Sequence, residues 1–247
     1  MKIAVFGARG RVGSLVCETV EATPGLDLVA GVDQSDARDG VLGADVVVDF
    51  THPDSVMDNL AWCVGHGIHA VVGTTGFTPA RLDEVRSLVG GSDQLGVLIA
   101  PNFSIGAVLM MHFSAVAAPY FDSVEIIEAH HAGKADAPSG TASTTARLVA
   151  QARASAGAAP MPDATTHAAD GARGTVVDGV HVHSLRLPGL IAQQEVRLTS
   201  AGETLTIVND ARSRSCYMPG VLAGISWVVA HPGVTVGLEP VLGLTHS

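Results

Sequence analysis

The sequence predicts an α/β protein in two parts: a doubly wound parallel sheet, then an α+β domain whose sheet is open and mostly antiparallel. Three observations carry this. Short apolar runs alternate with helix-patterned segments as far as residue 100. A glycine-spaced turn joins the first apolar run to the first helical one. Beyond residue 103 the alternation gives way to longer runs separated by glycine turns.

Residues 2–6 (KIAVF) form the first predicted strand, and Gly7-Ala-Arg-Gly10-Arg-Val-Gly13 follows directly. Residues 14–21 are patterned as a helix, which Pro24-Gly25 ends. Residues 26–32 read as the second strand, closing at Asp33. The third is 45–50 (DVVVDF), and a helix over 54–66 opens after Pro53. The fourth, 69–72, runs into Gly73-Thr-Thr-Gly76. A helix over 79–89 leads to the fifth strand, 96–100 (GVLIA), and to Pro101-Asn102-Phe103. Such alternation implies a parallel, Rossmann-like sheet with right-handed crossovers. Its ligands gather at the carboxyl ends of the strands. Here those ends are the glycine turn, Asp33, Phe50-Thr51, Gly73-Thr74-Thr75 and Ala100-Pro101-Asn102-Phe103.

A long helix-like segment over 104–121 has no Asp, Glu, Lys or Arg, but contains His112 and Pro119. It is expected to be a buried helix rather than a membrane span. A strand over 123–128 follows, then a histidine-rich turn, a helix over 141–154 and an Ala/Pro/Gly-rich loop over 155–174. Strands over 180–186, 193–199 and 203–210 are expected to run as a meander, with Gly189 and Ala201-Gly202 at its turns. A helix over 218–230 and a strand over 235–238 are expected to return to the first domain. The first domain is therefore expected at 1–104 with 217–247, and the second, for substrate and oligomer contacts, at 105–216.

Composition narrows the function. Of 247 residues, 47% are apolar and 4% aromatic, so the core rests on Val, Ala, Leu and Ile. The formal net charge of −10 argues against a nucleic-acid partner. Cys17, Cys63 and Cys216 are odd in number and widely spaced, as expected of reduced thiols in a cytoplasmic protein. No secretory signal is read at the start and no membrane partner is expected.

The glycine turn carries the first chemistry. Gly7 permits the tight turn, Gly10 lets backbone approach a pyrophosphate, and Gly13 allows close helix–strand packing. Ala8, Arg9, Arg11 and Val12 complete the turn. Its spacing is Gly-x-x-Gly-x-x-Gly, and its place between a strand, a helix and the later acid Asp33 makes it a dinucleotide site. Asp33 suits the ribose hydroxyls of NADH, whereas Arg9 and Arg11 suit the phosphate of NADPH. Use of both cofactors is expected. Gly73, Thr74, Thr75, Ala100, Pro101, Asn102 and Phe103 are expected to complete the site.

The stretch EIIEAHHAGKADAPSGTA, residues 125–142, carries the second chemistry. His130 exchanges a proton near neutrality and Lys134 carries a positive charge. Ser139, Gly140 and Thr141 offer hydroxyls and N–H groups to an anion ahead of a helix. Such a set suits a small carboxylate-bearing substrate that gains or loses a proton. No metal is expected, because His112, His181 and His183 lie on other elements. His52, His66 and His69 are expected to take no part in the chemistry.

This stretch resembles the signature of the dihydrodipicolinate reductase family of lysine and diaminopimelate biosynthesis. Glu125, Glu128, His130, Lys134, Asp136 and residues 138–142 match it; GARGRVG, DFTHP, GTTG, APNF and PGVLAGI resemble further family segments in the same order. The resemblance implies reduction of 4-hydroxy-tetrahydrodipicolinate to tetrahydrodipicolinate by NADH or NADPH. It implies that His130 is the acid/base residue and Lys134 the proton donor. His131, with Gly140 and Thr141, would bind the substrate carboxylates, and a homotetramer is implied. Asp136 is expected to hold the loop by accepting backbone hydrogen bonds. Ala132-Gly133 departs from the family, many of whose members carry a basic or imidazole side chain there.

Two other functions compete. Another two-domain dehydrogenase of the semialdehyde or homoserine type is one, and the semialdehyde case would need an activated cysteine. A non-catalytic dinucleotide sensor is the other; it would keep the glycine turn but have no need of His130 and Lys134.

Overall fold

Gly7 sits where it does because the strand before it ends level with its neighbours. In the computed structural model, which describes residues 1–90 and 94–244, β1 (Lys2–Phe6) pairs in parallel with β2 (Asp27–Val32) and β3 (Val46–Asp49). β4 (His69–Val72) and β5 (Gly96–Ile99) extend the sheet on the β3 side. The register aligns Phe6 with Val32 and Asp49, Asp49 with Val72, and Val72 with Ile99. Every strand therefore ends along one edge, and the loops that follow share it.

The crossovers are α1 (Gly13–Ala22), α2 (Val56–Gly65) and α3 (Pro79–Val89). Thr78 caps α3 by accepting the Arg81 N–H, and Pro79 opens it. Two apolar clusters contribute to the core. One gathers Phe6, Val47, Cys63 and Ile68; the other gathers Leu60, Val72, Val85 and Ile99. Burying side chains of this size stabilises the fold by about 1.5–3 kcal/mol each. The expected α2 start at residue 54 moves to Val56, because a turn follows Pro53 before the helix closes. A single 3-10 turn, Arg38–Val41, lies after β2 where no element was expected.

The chain divides by contacts into two units, Met1–Ile105 with Arg214–Ser247, and Gly106–Ser213. α4 (Ile105–Ala117) leads into the second unit. It is 13 residues long, and no helix among the described residues is long and apolar enough to cross a membrane. β6 (Ser123–His130), α5 (Gly140–Ser155), β7 (Thr175–Val177), β8 (Val180–Arg186), β9 (Ala192–Ser200) and β10 (Glu203–Ala211) complete that unit. Buried Arg153 on α5 donates to the carbonyls of Ala118, Phe121, Asp122 and Ala159, fastening the helix across the turn before β6.

The second sheet has the order β10-β9-β6-β8-β7. It is mostly antiparallel, but the expected meander is corrected: β8 and β9 do not pair. β6 lies between them, parallel to β8 and antiparallel to β9. The reason is α5. A crossover helix returns the chain to the starting end of β6, so the next long strand runs parallel beside it. α5 covers the face carrying Val124, Ile126, Val182, Val196 and Leu198, all buried. β6 also runs to His130 rather than stopping at Glu128, and the short edge strand β7 joins β8 through Asp178-Gly179, a hairpin signal the expected elements left out.

The chain then re-enters the first unit. α6 (Met218–Ala230) and β11 (Gly233–Val236) follow, and β11 adds beside β5, giving the all-parallel order β11-β5-β4-β3-β1-β2. This last strand starts two residues before the expected position, at a glycine with φ +97°.

Candidate active site

Two sets of side chains carry chemistry, one in each unit. In the first, Gly7 takes a left-handed backbone (φ +77°), and a Cβ there would stand 2.6 Å from the Phe50 carbonyl oxygen. A Cβ on Gly13 would stand 1.9 Å from the Gly7 carbonyl oxygen. Gly10 N–H donates to that same oxygen (2.9 Å), so the three-residue spacing closes one hydrogen-bonded turn before α1.

The turn's donors divide cleanly. Gly7 and Ala8 N–H donate to the Val32 carbonyl oxygen (2.8 and 3.4 Å), and Arg9 N–H to Asp33 Oδ2 (2.7 Å). The N–H groups of Arg11, Val12 and Gly13 find no acceptor among the described residues. α1 has no side-chain cap and no acidic residue in its first turn. Free donors at an uncapped helix start, reached over glycines, fit a pyrophosphate. A cavity of about 850 Å³ opens here, with Gly7, Gly10, Asp33, Asp36, Thr51 and Asn59 in its wall. The residues fit a dinucleotide.

Arg9 folds back onto acids: its Nη2 donates to Asp36 Oδ2 (2.7 Å) and its Nε lies 3.5 Å from Asp33 Oδ2. The Asp33 N–H, then the Arg9 charge, hold the Asp36 carboxyl below the usual carboxylate range. Arg11 is exposed and is the turn's uncommitted cation. Of the other expected cofactor residues, Gly73 donates its N–H to the Asp49 carbonyl oxygen (2.9 Å) and Thr75 is exposed. Ala100 and Phe103 are buried, Phe103 tilted against Phe50 with ring centroids 5.7 Å apart; Pro101 and Asn102 reach the surface.

Thr74 turns inward, and the residue it meets was missed. Asp49, 2% exposed, accepts from Thr51 N–H (2.9 Å), Thr51 Oγ1 (2.7 Å), Thr74 Oγ1 (2.9 Å) and Asn59 Nδ2 (2.8 Å). Asn59 Oδ1 in turn accepts from Arg38 Nε (2.9 Å). One buried carboxyl thus ties the loops after β3 and β4 to α2. The signal available was an acid inside the apolar run DVVVDF, where an unpaired carboxyl would be costly.

In the second unit the expected acid/base residue sits at the end of β6. Glu128 and His130 are two residues apart on a strand and so share a face. The parallel register sets Arg186 of β8 opposite His130. Glu128, 0% exposed, takes His130 Nδ1 at 2.5 Å and the Arg186 guanidinium at 2.9 and 2.8 Å. It also accepts the Ser139 N–H at 3.2 Å. Arg186 Nη2 reaches on to the Asp136 carbonyl oxygen (2.5 Å), and Lys134 Nζ donates to Asp136 Oδ1 (2.7 Å). Asp136 is therefore held mainly by the Lys134 side chain rather than by the expected backbone donors, and that bond holds its carboxyl below the usual range.

Burial holds the His130 imidazole below its ordinary pKa. The Glu128 carboxylate pulls it back up, and the charges of Lys134 and Arg186 add to the lowering. Burial pushes Glu128 upward, but its hydrogen bonds, led by Arg186, outweigh that and keep it low. His130 is thus neutral near neutral pH, with Nδ1 2.5 Å from Glu128 Oε2 and no protein partner on Nε2 among the described residues.

Ser139 departs from expectation. Its Oγ caps α5 by accepting the Ala142 N–H (3.2 Å), its N–H is spent on Glu128, and it is 3% exposed. It holds the helix start rather than offering a free hydroxyl. Gly140, exposed, and Thr141, half-buried, form the first turn of α5. His131 is half-buried, and its carbonyl oxygen accepts the Lys134 N–H (3.1 Å), which makes Ala132-Gly133 the middle of a tight turn.

The remaining candidates stand elsewhere. His181 and His183 face Asp163 (3.5 Å) and Glu125 (2.8 Å) across the opposite side of the second sheet. His69 Nδ1 accepts the Gly96 N–H (3.0 Å), a structural tie between β4 and β5. Burial raises all three cysteine thiols, Cys63 to about 12, so none is an activated nucleophile.

The chain matches the family model described as dihydrodipicolinate reductase, N-terminus, over residues 1–103, and that described as dihydrodipicolinate reductase, C-terminus, over residues 106–242. It is 61% identical over 245 residues to a 4-hydroxy-tetrahydrodipicolinate reductase of Thermobifida fusca (strain YX), covering 99% of this chain and 100% of the relative. It is 58% identical over 246 residues to one of Nocardia farcinica (strain IFM 10152), covering 99% of each. Among solved structures, a dipicolinate-bound dihydrodipicolinate reductase from Paenisporosarcina sp. TG-14 superposes with a TM-score of 0.88 at 35% identity, over 97% of this chain and 98% of that one.

Proposed function

The chain belongs to the dihydrodipicolinate reductase family, and from that premise we propose how its residues divide the reaction. The reaction is the NAD(P)H-dependent reduction of 4-hydroxy-tetrahydrodipicolinate to tetrahydrodipicolinate, on the route to lysine and diaminopimelate. The observation that carries the assignment is His130, held at Nδ1 by a fully buried carboxylate, with Nε2 left for chemistry.

Neutral His130 takes a proton from C5 of the substrate, the carbon next to the C6=N imine. The Lys134 ammonium gives a proton to the departing 4-hydroxyl, which leaves as water, and a C4=C5 double bond conjugated with the imine forms. A nicotinamide bound by the first unit would supply the hydride that C4 receives. As C4 is reduced, the C4=C5 electrons move through C5=C6 to the ring nitrogen, and Lys134, after regaining a proton from solvent, stabilises that charge. His130 then returns its proton to C5 and the imine re-forms. One hydride and one solvent proton are consumed, and one water is released.

His131 and the N–H groups of Gly140 and Thr141 take the substrate carboxylates. Ser139 serves them from beneath as the helix cap. In the first unit, Arg11, Val12 and Gly13 N–H hold the pyrophosphate, and Asp33 the adenine ribose. Arg11 is the cation available to a 2′-phosphate.

The test is a coupled assay in which a dihydrodipicolinate synthase supplies the substrate and loss of reduced-nicotinamide absorbance is followed. Turnover is expected with both cofactors, their kcat/KM values within about a thousandfold, or ~4 kcal/mol. Absence of turnover would refute the assignment, and a wider ratio would refute dual use.

A cytoplasmic homotetramer is the form this reading favours. Ile127, Val176, Leu185 and Val208 share the sheet face turned away from α5, and the last three are 57%, 45% and 50% exposed. Pairing with a second copy would cover them. Sedimentation equilibrium is expected to give four times the chain mass, from protein recovered in the cytosolic fraction; a monomer, or protein confined to the membrane fraction, would contradict this.

A further inference from the structure

Glu128 exchanges no proton in the proposed reaction, yet four donor atoms of three residues converge on its two oxygens. Oε2 faces His130 Nδ1 (2.5 Å) and Arg186 Nη1 (2.9 Å); Oε1 faces Ser139 N–H (3.2 Å) and Arg186 Nη2 (2.8 Å). Resting on the role proposed for His130, we infer that Glu128 is a positioning residue. It holds His130 in the Nδ1–H tautomer and ties to the same carboxylate the start of α5 and, through Arg186, the loop that carries Lys134.

The physical reasons are charge and donor count. A buried carboxylate without a partner would be costly, and a carboxylate paired only with an imidazole would pull it toward the charged form. Arg186 removes both difficulties. Its fork neutralises Glu128, so the carboxylate stays ionised and accepts only. The proton on His130 must then sit on Nδ1, which leaves Nε2 bare to take the C5 proton. The groups facing His130 are Glu128 on its own strand, Arg186 on β8 and Lys134 in the turn, with Asp136 balancing Lys134. Together they fix the tautomer without making His130 permanently cationic. The second link is spatial: the Ser139 N–H bond sets the N-terminus of α5 directly against the acid/base residue.

Glu128→Gln separates these effects while keeping the shape. Two donors that cannot reverse, Ser139 N–H and Arg186 Nη2, face the Oε1 position and one, Arg186 Nη1, faces Oε2, so the amide oxygen takes the Oε1 place and Nη1 draws back from the amide nitrogen. The amide N–H₂ then faces His130 Nδ1 and forces the proton onto Nε2. The experiment is nitrogen-15 NMR of the His130 ring in wild type and E128Q, above the pKa of the imidazole, with kcat and NADH affinity measured on the same samples. In wild type Nδ1 is expected to be protonated and Nε2 bare. In E128Q the pattern is expected to invert, with kcat down about 100-fold or more, as expected when a catalytic histidine is held in the wrong tautomer, and NADH affinity unchanged.

A wild-type spectrum with the proton on Nε2 overturns the inference by itself, even if E128Q does not fold. So does full kcat in E128Q, or a loss of kcat with the tautomer unchanged, which would leave Glu128 a structural role only. Failure of the underlying reading is distinguishable: it would appear as full kcat in His130→Ala, whatever the tautomer.

Discussion

Lys134→Ala is expected to lower kcat by about 10²–10⁴-fold while NADH affinity stays at its wild-type value. The loss has two parts. Water leaving C4 loses its proton donor, and the ring nitrogen loses the nearest positive charge as C4 is reduced. Removing the ammonium also strips Asp136 Oδ1 of its 2.7 Å partner. An unpaired carboxylate then stands beside a dianionic substrate, so KM rises as well. Lys134→Arg separates the parts: it restores the charge and lowers KM again, but a guanidinium does not give up a proton, so kcat stays low. Full kcat in Lys134→Ala would remove the residue from both roles.

His130→Ala is expected to cost a similar 10²–10⁴-fold, with a signature in the pH profile. The proposed reaction needs neutral His130. Burial, reinforced by Lys134 and Arg186, sets its pKa below the ordinary imidazole value against the pull of Glu128. The neutral form therefore persists as pH falls past about 6.5, and the acid limb of kcat/KM lies below that value. In His130→Ala that limb disappears and the residual rate is flat across it. A limb at or above the ordinary imidazole value in wild type would mean that His130 works as the imidazolium, and the proposed order of proton transfers would be wrong.

How much of this was legible depends on how local each signal is. The first sheet follows from periodicity within single segments, so its strands and crossovers could be read in order from KIAVF onward. The order of the second sheet could not. Whether β8 lies beside β9 or beside β6 is decided by the helix that must cover Val124, Ile126 and Val182, and no short run of sequence records that. The same division holds in the site. Glu128 and His130 are two apart in a strand, so their shared face was available to the period-two rule. Arg186 lies 58 residues from Glu128, and only the parallel register brings it there. Ser139 shows a signal read for the wrong purpose, since a serine just before a helix is first of all a cap. Asp49 shows one passed over: an acid within an apolar strand needs partners, and Thr51, Asn59 and Thr74 supply them.

The central claim is that residues 125–142 form the substrate site, with protons handled at His130 and Lys134. Its most direct test is a crystal structure of this protein with dipicolinate. One carboxylate is expected on the N–H groups of Gly140 and Thr141, with the ring edge within hydrogen-bond reach of His130 Nε2 and Lys134 Nζ. Dipicolinate bound away from these groups, or with its ring edge out of reach of both side chains, would contradict it.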